Sequence, residues 1–450
     1  MARHCSEAGL IEKAALLWGE AGQRSLARSA LVEAAAQLTR ALDQIARLPA
    51  TPALRREQIK FQVGLANALM HTKGYAAPET KVAIEQARLF IERSEALGEP
   101  LEDPLLLFSA IYGLWAVNFV AFKGDICRDL AARFWALAQR QGATTPVLVG
   151  HRVMGHSLLK EGDFVQARTH YDKGIALYDP VEHRMLATRF GHDTGVAILS
   201  YRSWTLWFLG YPEAALRDAD TAVEAARDTG QAASLMFALY MTAFFHVLCG
   251  NYAVATARAR ELFALAKEKD ALMWKASAMM HEGCALAAAT TKAAAAIEML
   301  TSGIVEYRST GATLSITAFL SHLARAYGDN GQFDNAWRCI GEAVTVIENA
   351  KERWYEAEVH RTAGEVALKS PKRDAAKAEA HFERALAVAR QQQAKSWELR
   401  AAMSMARLWR DQGKRDEARE LLAPVYGWFT EGFDTLDLKE AKALLDELVA

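Results

Sequence analysis

The sequence predicts an all-α fold, a solenoid in which antiparallel helix pairs stack into a superhelix, and three observations carry that reading. A chain of 450 residues exceeds what one compact core supports, so it is either several domains or a stack that grows by adding units. Prolines number only 10, which leaves helix permitted along nearly the whole length. Self-similarity decides for the stack. Gly162-Asp163-Phe164 is followed by Ala167, Gly210-Tyr211-Pro212 by Ala215, Gly250-Asn251-Tyr252 by Ala255, Gly331-Gln332-Phe333 by Ala336 and Gly413-Lys414-Arg415 by Ala418, with the alanine five places after the glycine each time. Two further units keep the alanine alone, at Ala296 and Ala378, so the column advances by 48, 40, 41, 40, 42 and 40 residues.

Each unit obeys one physical logic. An apolar helix ends at a glycine that closes it in the left-handed conformation, and a second helix starts at once. The small residue that follows lets the two helices approach closely. A second small-residue column, Gly155, Ser203, Ala243, Ala324 and Ala406, lies seven places before each turn. The first third is less regular. A helix from Met1 to Gly19 leads into a pair turning around Gly22, with Ala27 in the alanine column. Leu54–Leu97 forms a second pair with an expanded turn at 73–80, and Pro104–Gln141 a third about Gly124-Asp125. The run Gly98-Glu99-Pro100-Leu101-Glu102-Asp103-Pro104 is the best hinge candidate, because its prolines disfavour helix before them. The long first step of 48 holds an insertion over Asp179–Gly195, the expected bend or docking point. Leu436–Val449 is amphipathic through Leu438, Ala441, Leu444, Leu445 and Leu448, and suits an end cap. The expected divisions are therefore 1–103 (N-terminal pairs), 104–434 (the superhelix, with the insertion at 179–195) and 435–450 (the cap).

Bulk composition narrows the function classes. Lys+Arg number 53 and Asp+Glu 54, so no global field favours nucleic acid or an acidic membrane. Mean hydropathy is −0.05 and no window approaches 18 uncharged apolar residues, which argues against a membrane span. The N-terminus lacks the apolar core of a signal peptide. The five cysteines, Cys5, Cys127, Cys249, Cys284 and Cys339, show no paired spacing and suit a reducing compartment. A cytoplasmic location is the expectation.

Chemistry is hard to find. Phosphate loops, zinc-binding H-E-x-x-H and the G-x-S-x-G elbow are missing, and Ser157-Leu158-Leu159-Lys160 matches S-x-x-K with no partner motif. The insertion holds His183, Arg189, His192 and Asp193, which could form a metal triad; the plainer reading is that these side chains tie a long loop down by hydrogen bonds. Tyr201, Trp204 and Phe208 share one helical face, where large aromatics are more often core than a binding platform. By register, the inner groove shows Arg152, His156, Lys160, Trp204, Arg325, Arg361, Arg400, Arg407 and Arg410. That basic run could grip a carboxylate-bearing peptide, or Glu358, Glu365 and Asp411 could pair with it across adjacent helices. No catalytic residue, cofactor or metal is expected.

The stretches GHSLLKEGDFVQARTHYDKGIALYDP (155–180) and LSHLARAYGDNGQFDNAWRCIGEAV (320–344) resemble tetratricopeptide repeats, with a longer period than the strict 34 residues of that family. Residues 189–216 and 394–448 also resemble the C-terminal helical region of large bacterial signalling proteins. Those join a class III adenylate/guanylate cyclase domain and an AAA-type ATPase domain to a tetratricopeptide-like tail. The resemblance implies a non-catalytic regulatory or protein-interaction module, separated from a preceding ATPase domain on which its first helices would lean. Its partner would be a protein or peptide, such as a cyclase or ATPase domain, with neither nucleic acid nor membrane. The alternatives are a cyclase subunit whose activity needs another chain, and a module that senses a small ligand.

Overall fold

Every unit of the glycine–alanine pattern folds as a helix pair in the computed structural model, which describes residues 1–99, 103–289 and 292–449. Among these residues there are helices and turns and no strand. Residues 100–102 of the expected hinge lie outside them. The N-terminal third comprises α1 (Ala2–Glu7), α2 (Ile11–Ala27), α3 (Leu31–Ile45), α4 (Pro52–Thr72), α5 (Pro78–Ala96), α6 (Leu105–Val120) and α7 (Gly124–Gln141). The pair α8 (Thr144–Glu161) and α9 (Phe164–Leu177) precedes the insertion, whose short turns are α10 (Pro180–His183) and α11 (Ala187–Phe190). Regular pairs follow: α12 (Thr194–Phe208) with α13 (Pro212–Thr229), α14 (Ala232–Leu248) with α15 (Tyr252–Glu268), α16 (Leu272–Ala288) with α17 (Ala293–Ser309) and α18 (Ile316–Asp329) with α19 (Phe333–Ala350). The last are α20 (Glu356–Lys369) with α21 (Ala375–Gln391), α22 (Lys395–Asp411) with α23 (Arg415–Tyr426), and the terminal α24 (Leu436–Val449).

The two columns of small residues do what their size allows. All seven column alanines, from Ala167 to Ala418, are fully buried. A side chain at Gly155 would place its Cβ 2.4 Å from the ring of Tyr171 on the paired helix, so only glycine lets α8 and α9 meet there. At the α8–α9 turn Gly162 has φ +89°, the left-handed closure the pattern calls for. Of the two units without glycine, that of Ala378 starts its second helix with a side-chain cap, the Asp374 carboxylate accepting from the Lys377 amide.

One turn falls elsewhere than expected. Helix α2 runs straight through Gly22 and ends at Ala27, which is exposed; the turn comes at Arg28–Ala30, and Ala34 is the buried alanine of that pair. Gly22 is a packing glycine, because a Cβ there would stand 2.5 Å from Leu38 Cγ on α3. Likewise, Met1–Gly19 is two helices broken at Ala8–Leu10.

The first helix of each pair lies inside and the second outside. Helix α14 is buried continuously from Met236 to Leu248, whereas α13 buries a single stripe that includes Ala215, Ala219, Ala222 and Ala226. The coil then winds back onto itself. The Val120 carbonyl accepts from the amides of Thr313 and Leu314, both at 2.9 Å, and the Lys160 carbonyl from those of Arg353 and Trp354 at 2.9 and 3.3 Å. The Trp207 carbonyl accepts from the Ser396 hydroxyl, 189 residues further on, and that of Leu248 from Arg400. Near the end, the Glu431 carboxylate accepts from the amides of Glu213 and Ala214. Turns between paired helices in the first coil thus dock on loops between pairs in the second, forming a seam. Helix α24 packs Leu438, Ala441, Leu444 and Leu448 against α22 and α23, with Leu445 half-buried.

Candidate functional site

Stacking the second coil on the first closes the groove into an aromatic interior. Side chains one helical turn apart on the inner helices supply it: Tyr112 and Trp115 from α6, Tyr201, Trp204 and Phe208 from α12, and Phe237, Tyr240 and Phe244 from α14. Their rings meet across the coil, with Trp204 and Trp354 at 5.1 Å between centroids and Trp207 and Trp397 at 4.9 Å. Such pairs stabilise beyond the area they bury. Trp204 donates its Nε1 proton to the Met241 carbonyl at 3.0 Å, so it belongs to the core between neighbouring pairs.

The basic column divides into three groups. Arg152, His156 and Lys160 project from α8 into the interior and are almost wholly buried. Lys160 donates to Ser315 Oγ at 2.7 Å and stands over the rings of Trp354 and Trp204, 4.0 and 5.1 Å from their centroids. Its counter-ion is Glu352, 3.9 Å away, which also accepts from the Ser315 amide and Trp354 Nε1. Burial pulls the Lys160 ammonium down to about 8, with Glu352 opposing, and pushes the Glu352 carboxyl up. This pair ties α8 of the first coil to the α19–α20 loop of the second.

The second group lies further along. Arg361 makes a fork to Glu358 and a contact to Glu365, while Arg400 reaches Asp437 at 2.8 Å and the Leu248 carbonyl. Burial works against both guanidinium charges, yet the facing carboxylates hold them above the usual arginine value. Arg325 is half-buried, and its Nε has no hydrogen-bond partner. The third group, Arg407 and Arg410, pairs with Glu440 and Glu447 on the terminal helix at 2.8 and 2.6 Å, and Arg410 also with Asp411. Most cations of these three groups therefore meet carboxylates of the same chain.

The insertion reaches into the interior from the N-terminal end. Asn67 donates to the carbonyls of Ala187 and Thr188, and His71 Nε2 to that of Gly191 at 2.7 Å. Arg152 donates to the carbonyls of Phe190 and His192, to the Tyr112 hydroxyl and to His192 Nε2. Asp193 accepts from Tyr178 and caps α12 at the Val196 amide, while His183 Nδ1 accepts from the Asp179 amide. Arg189 pairs with Asp103. His183, Arg189, His192 and Asp193 thus hold backbone or a neighbour in place, and among the described residues no three His, Cys, Asp or Glu side chains are grouped to hold a metal. Burial drives His71 down to about 4 and His192 well below the usual value, so both rings are neutral at pH 7.

Beside Arg152 lies a cavity of about 50 Å³. Tyr75, Tyr112, Trp115, Phe237, Tyr240 and Trp274 stand in its wall, and only Arg152 and His156 of the register column reach it. The aromatic wall was missed from sequence. Its signal is the spacing of Tyr112, Trp115 and Phe119 and of Phe237, Tyr240 and Phe244, which places three aromatics on one face of an inner helix twice over.

No family model matches the chain. An uncharacterized protein of Rhizobium meliloti (strain 1021) is 24% identical over 362 residues, covering 80% of this chain and 34% of that protein. The chain thus spans about a third of that relative's length. Among solved structures, a Rap protein complexed with competence and sporulation factor superposes with a TM-score of 0.55 at 11% identity, covering 87% of this chain and 99% of that one. The human IFIT1 dimer with PPP-AAAA gives 0.47 at 13%, covering 96% and 94%. The fold is a tetratricopeptide-like α-solenoid.

Proposed function

We propose that the chain is a non-catalytic regulatory superhelix of the cytoplasm, which carries the state of its interior to a bound protein. The observation that supports this reading is the seam. Carbonyls of Val120, Lys160, Trp207 and Leu248 in the first coil are held by groups of the second, and the Lys160–Glu352 pair links the same two coils through the aromatic core. A change of packing in the interior therefore changes the pitch of the whole solenoid, which a protein docked along it would feel. Following the resemblance of residues 189–216 and 394–448, the partner is a class III cyclase or AAA-type ATPase domain, with residues 1–103 as the docking end. The division into 1–103, 104–434 and 435–450 belongs to this proposal.

Two assays test it. The isolated chain is expected to turn over neither ATP nor GTP; turnover that survives repeated purification contradicts the reading. Adding a class III cyclase or an AAA-type ATPase domain is expected to slow hydrogen exchange in α1–α5. Unchanged exchange with both removes the assigned partner.

A second reading, that the superhelix senses a small molecule, is favoured by the enclosed aromatic cavity beside Arg152, and it sets the problem taken up next.

A further inference from the structure

Arg152 is a fully buried cation without an ion partner: among the described residues no carboxylate comes within 4.0 Å of it. The nearby Asp193 is occupied by Tyr178 and the start of α12. The four hydrogen bonds of Arg152 go to two carbonyls, a phenol and a neutral imidazole, so the positive charge is solvated by dipoles and not neutralised. A buried charge of this kind is costly unless something pairs with it. The wall of the adjoining cavity carries three further signs of what is missing. Arg152 Nε, His156 Nε2 and Trp274 Nε1 are all buried and lack hydrogen-bond partners. His156 Nδ1 lies 3.0 Å from the Tyr171 hydroxyl; with that hydroxyl as donor, Nε2 carries the ring proton. The Tyr112 hydroxyl accepts from Arg152 and keeps its own proton to give. The cavity therefore offers donors and no carboxylate, and the rest of its lining is mostly aromatic.

We propose that this cavity is a binding site for a short aliphatic carboxylate, its carboxylate on the unpartnered donors around Arg152 and its alkyl tail among Tyr112, Tyr201, Phe237 and Trp274. Size sets the class. At roughly 10–15 Å³ for each water-sized group, a cavity of about 50 Å³ admits about three to five such groups, the scale of a short acid such as acetate or propionate. Charge sets the sign, because an anion supplies both the counter-ion and the acceptors in one group. The insertion supplies part of the wall through His192, and its Phe190 and His192 carbonyls share Arg152 with the ligand. Occupancy is thereby read by the segment that bridges two regular pairs. This inference rests on the regulatory reading for its consequence and on the cavity alone for its binding.

Calorimetric titration of the full chain with propionate, and with propionamide as a neutral molecule of the same shape, tests the site. Propionate is expected to bind, propionamide at least tenfold more weakly, and Arg152→Gln to lose at least tenfold in propionate affinity. Should Arg152→Gln fail to fold, Ala116→Met fills the cavity from its wall without touching the arginine; it is expected to fold and to lose propionate binding. Equal binding of the two probes, no propionate binding at millimolar concentration, or unchanged binding by Ala116→Met overturns the proposal. Hydrogen exchange with propionate present separates the two readings: binding without slower exchange in residues 179–195 or at the seam leaves the site standing and contradicts regulation. Partner-induced protection without propionate binding does the reverse.

Discussion

At Gly155 the absence of a side chain sets how closely two helices meet. In Gly155→Ala the new methyl meets the Tyr171 ring, and the variant is expected to lose about 1–3 kcal/mol in urea unfolding; an unchanged midpoint contradicts the tight fit. Titration is decided at the same scale. Burial holds His71 and His246 at about 4, and His281 and His322 at about 3, against an ordinary value of 6.5. Between those values the unfolded chain binds more protons than the folded one. Stability is therefore complete above pH 6.5 and is lost as the pH falls toward 4, each histidine adding a slope of up to about 1.4 kcal/mol per pH unit. Urea midpoints from pH 7.5 to 5 are expected to drop steeply, and a flat profile would show these rings to be wet. The size of Gly155 was legible in the sequence, because it recurs in a column. The burial of Arg152 and Lys160 was not, since an inward register position is solvated in an open groove and desolvated in a closed one.

Among the elements, the regular pairs from α8 onward follow the period closely, and the terminal helix lies where its apolar stripe required. The insertion was legible as a long step and as a loop tied by its own polar groups, but not as a wedge entering the interior, because its anchors Asn67 and His71 lie about 120 residues earlier. The turn near Gly22 was misplaced for a physical reason: glycine closes helices and also permits helices to cross, and one sequence cannot separate these uses where the spacing is irregular. Removing residues 180–187 brings the step back to 40. That deletion is expected to lower the thermal midpoint and speed exchange in α4 and α8, since Ala187 holds Asn67 and the segment positions Phe190 and His192 on Arg152. Unchanged midpoint and exchange would reduce the insertion to a passive linker.

For the molecule as a whole, the period foretold a solenoid but was silent on its pitch. Closure arises from residues about 190 apart, such as Trp207 and Ser396, whose meeting no local pattern encodes. Pitch nevertheless decides what the arginine column can meet: an open coil would present it to a peptide, whereas this one seals its N-terminal part around aromatic rings and pairs most of the remainder internally. The account's central claim is that the two coils are joined, and amide hydrogen exchange reads the joint directly. The Thr313, Leu314, Arg353 and Trp354 amides lie in loops and donate across the seam to Val120 and Lys160. They are expected to exchange as slowly as the inner helices at neutral pH. Exchange within seconds, at the rate of exposed loops, would show that the coils stand apart and that the interior is open.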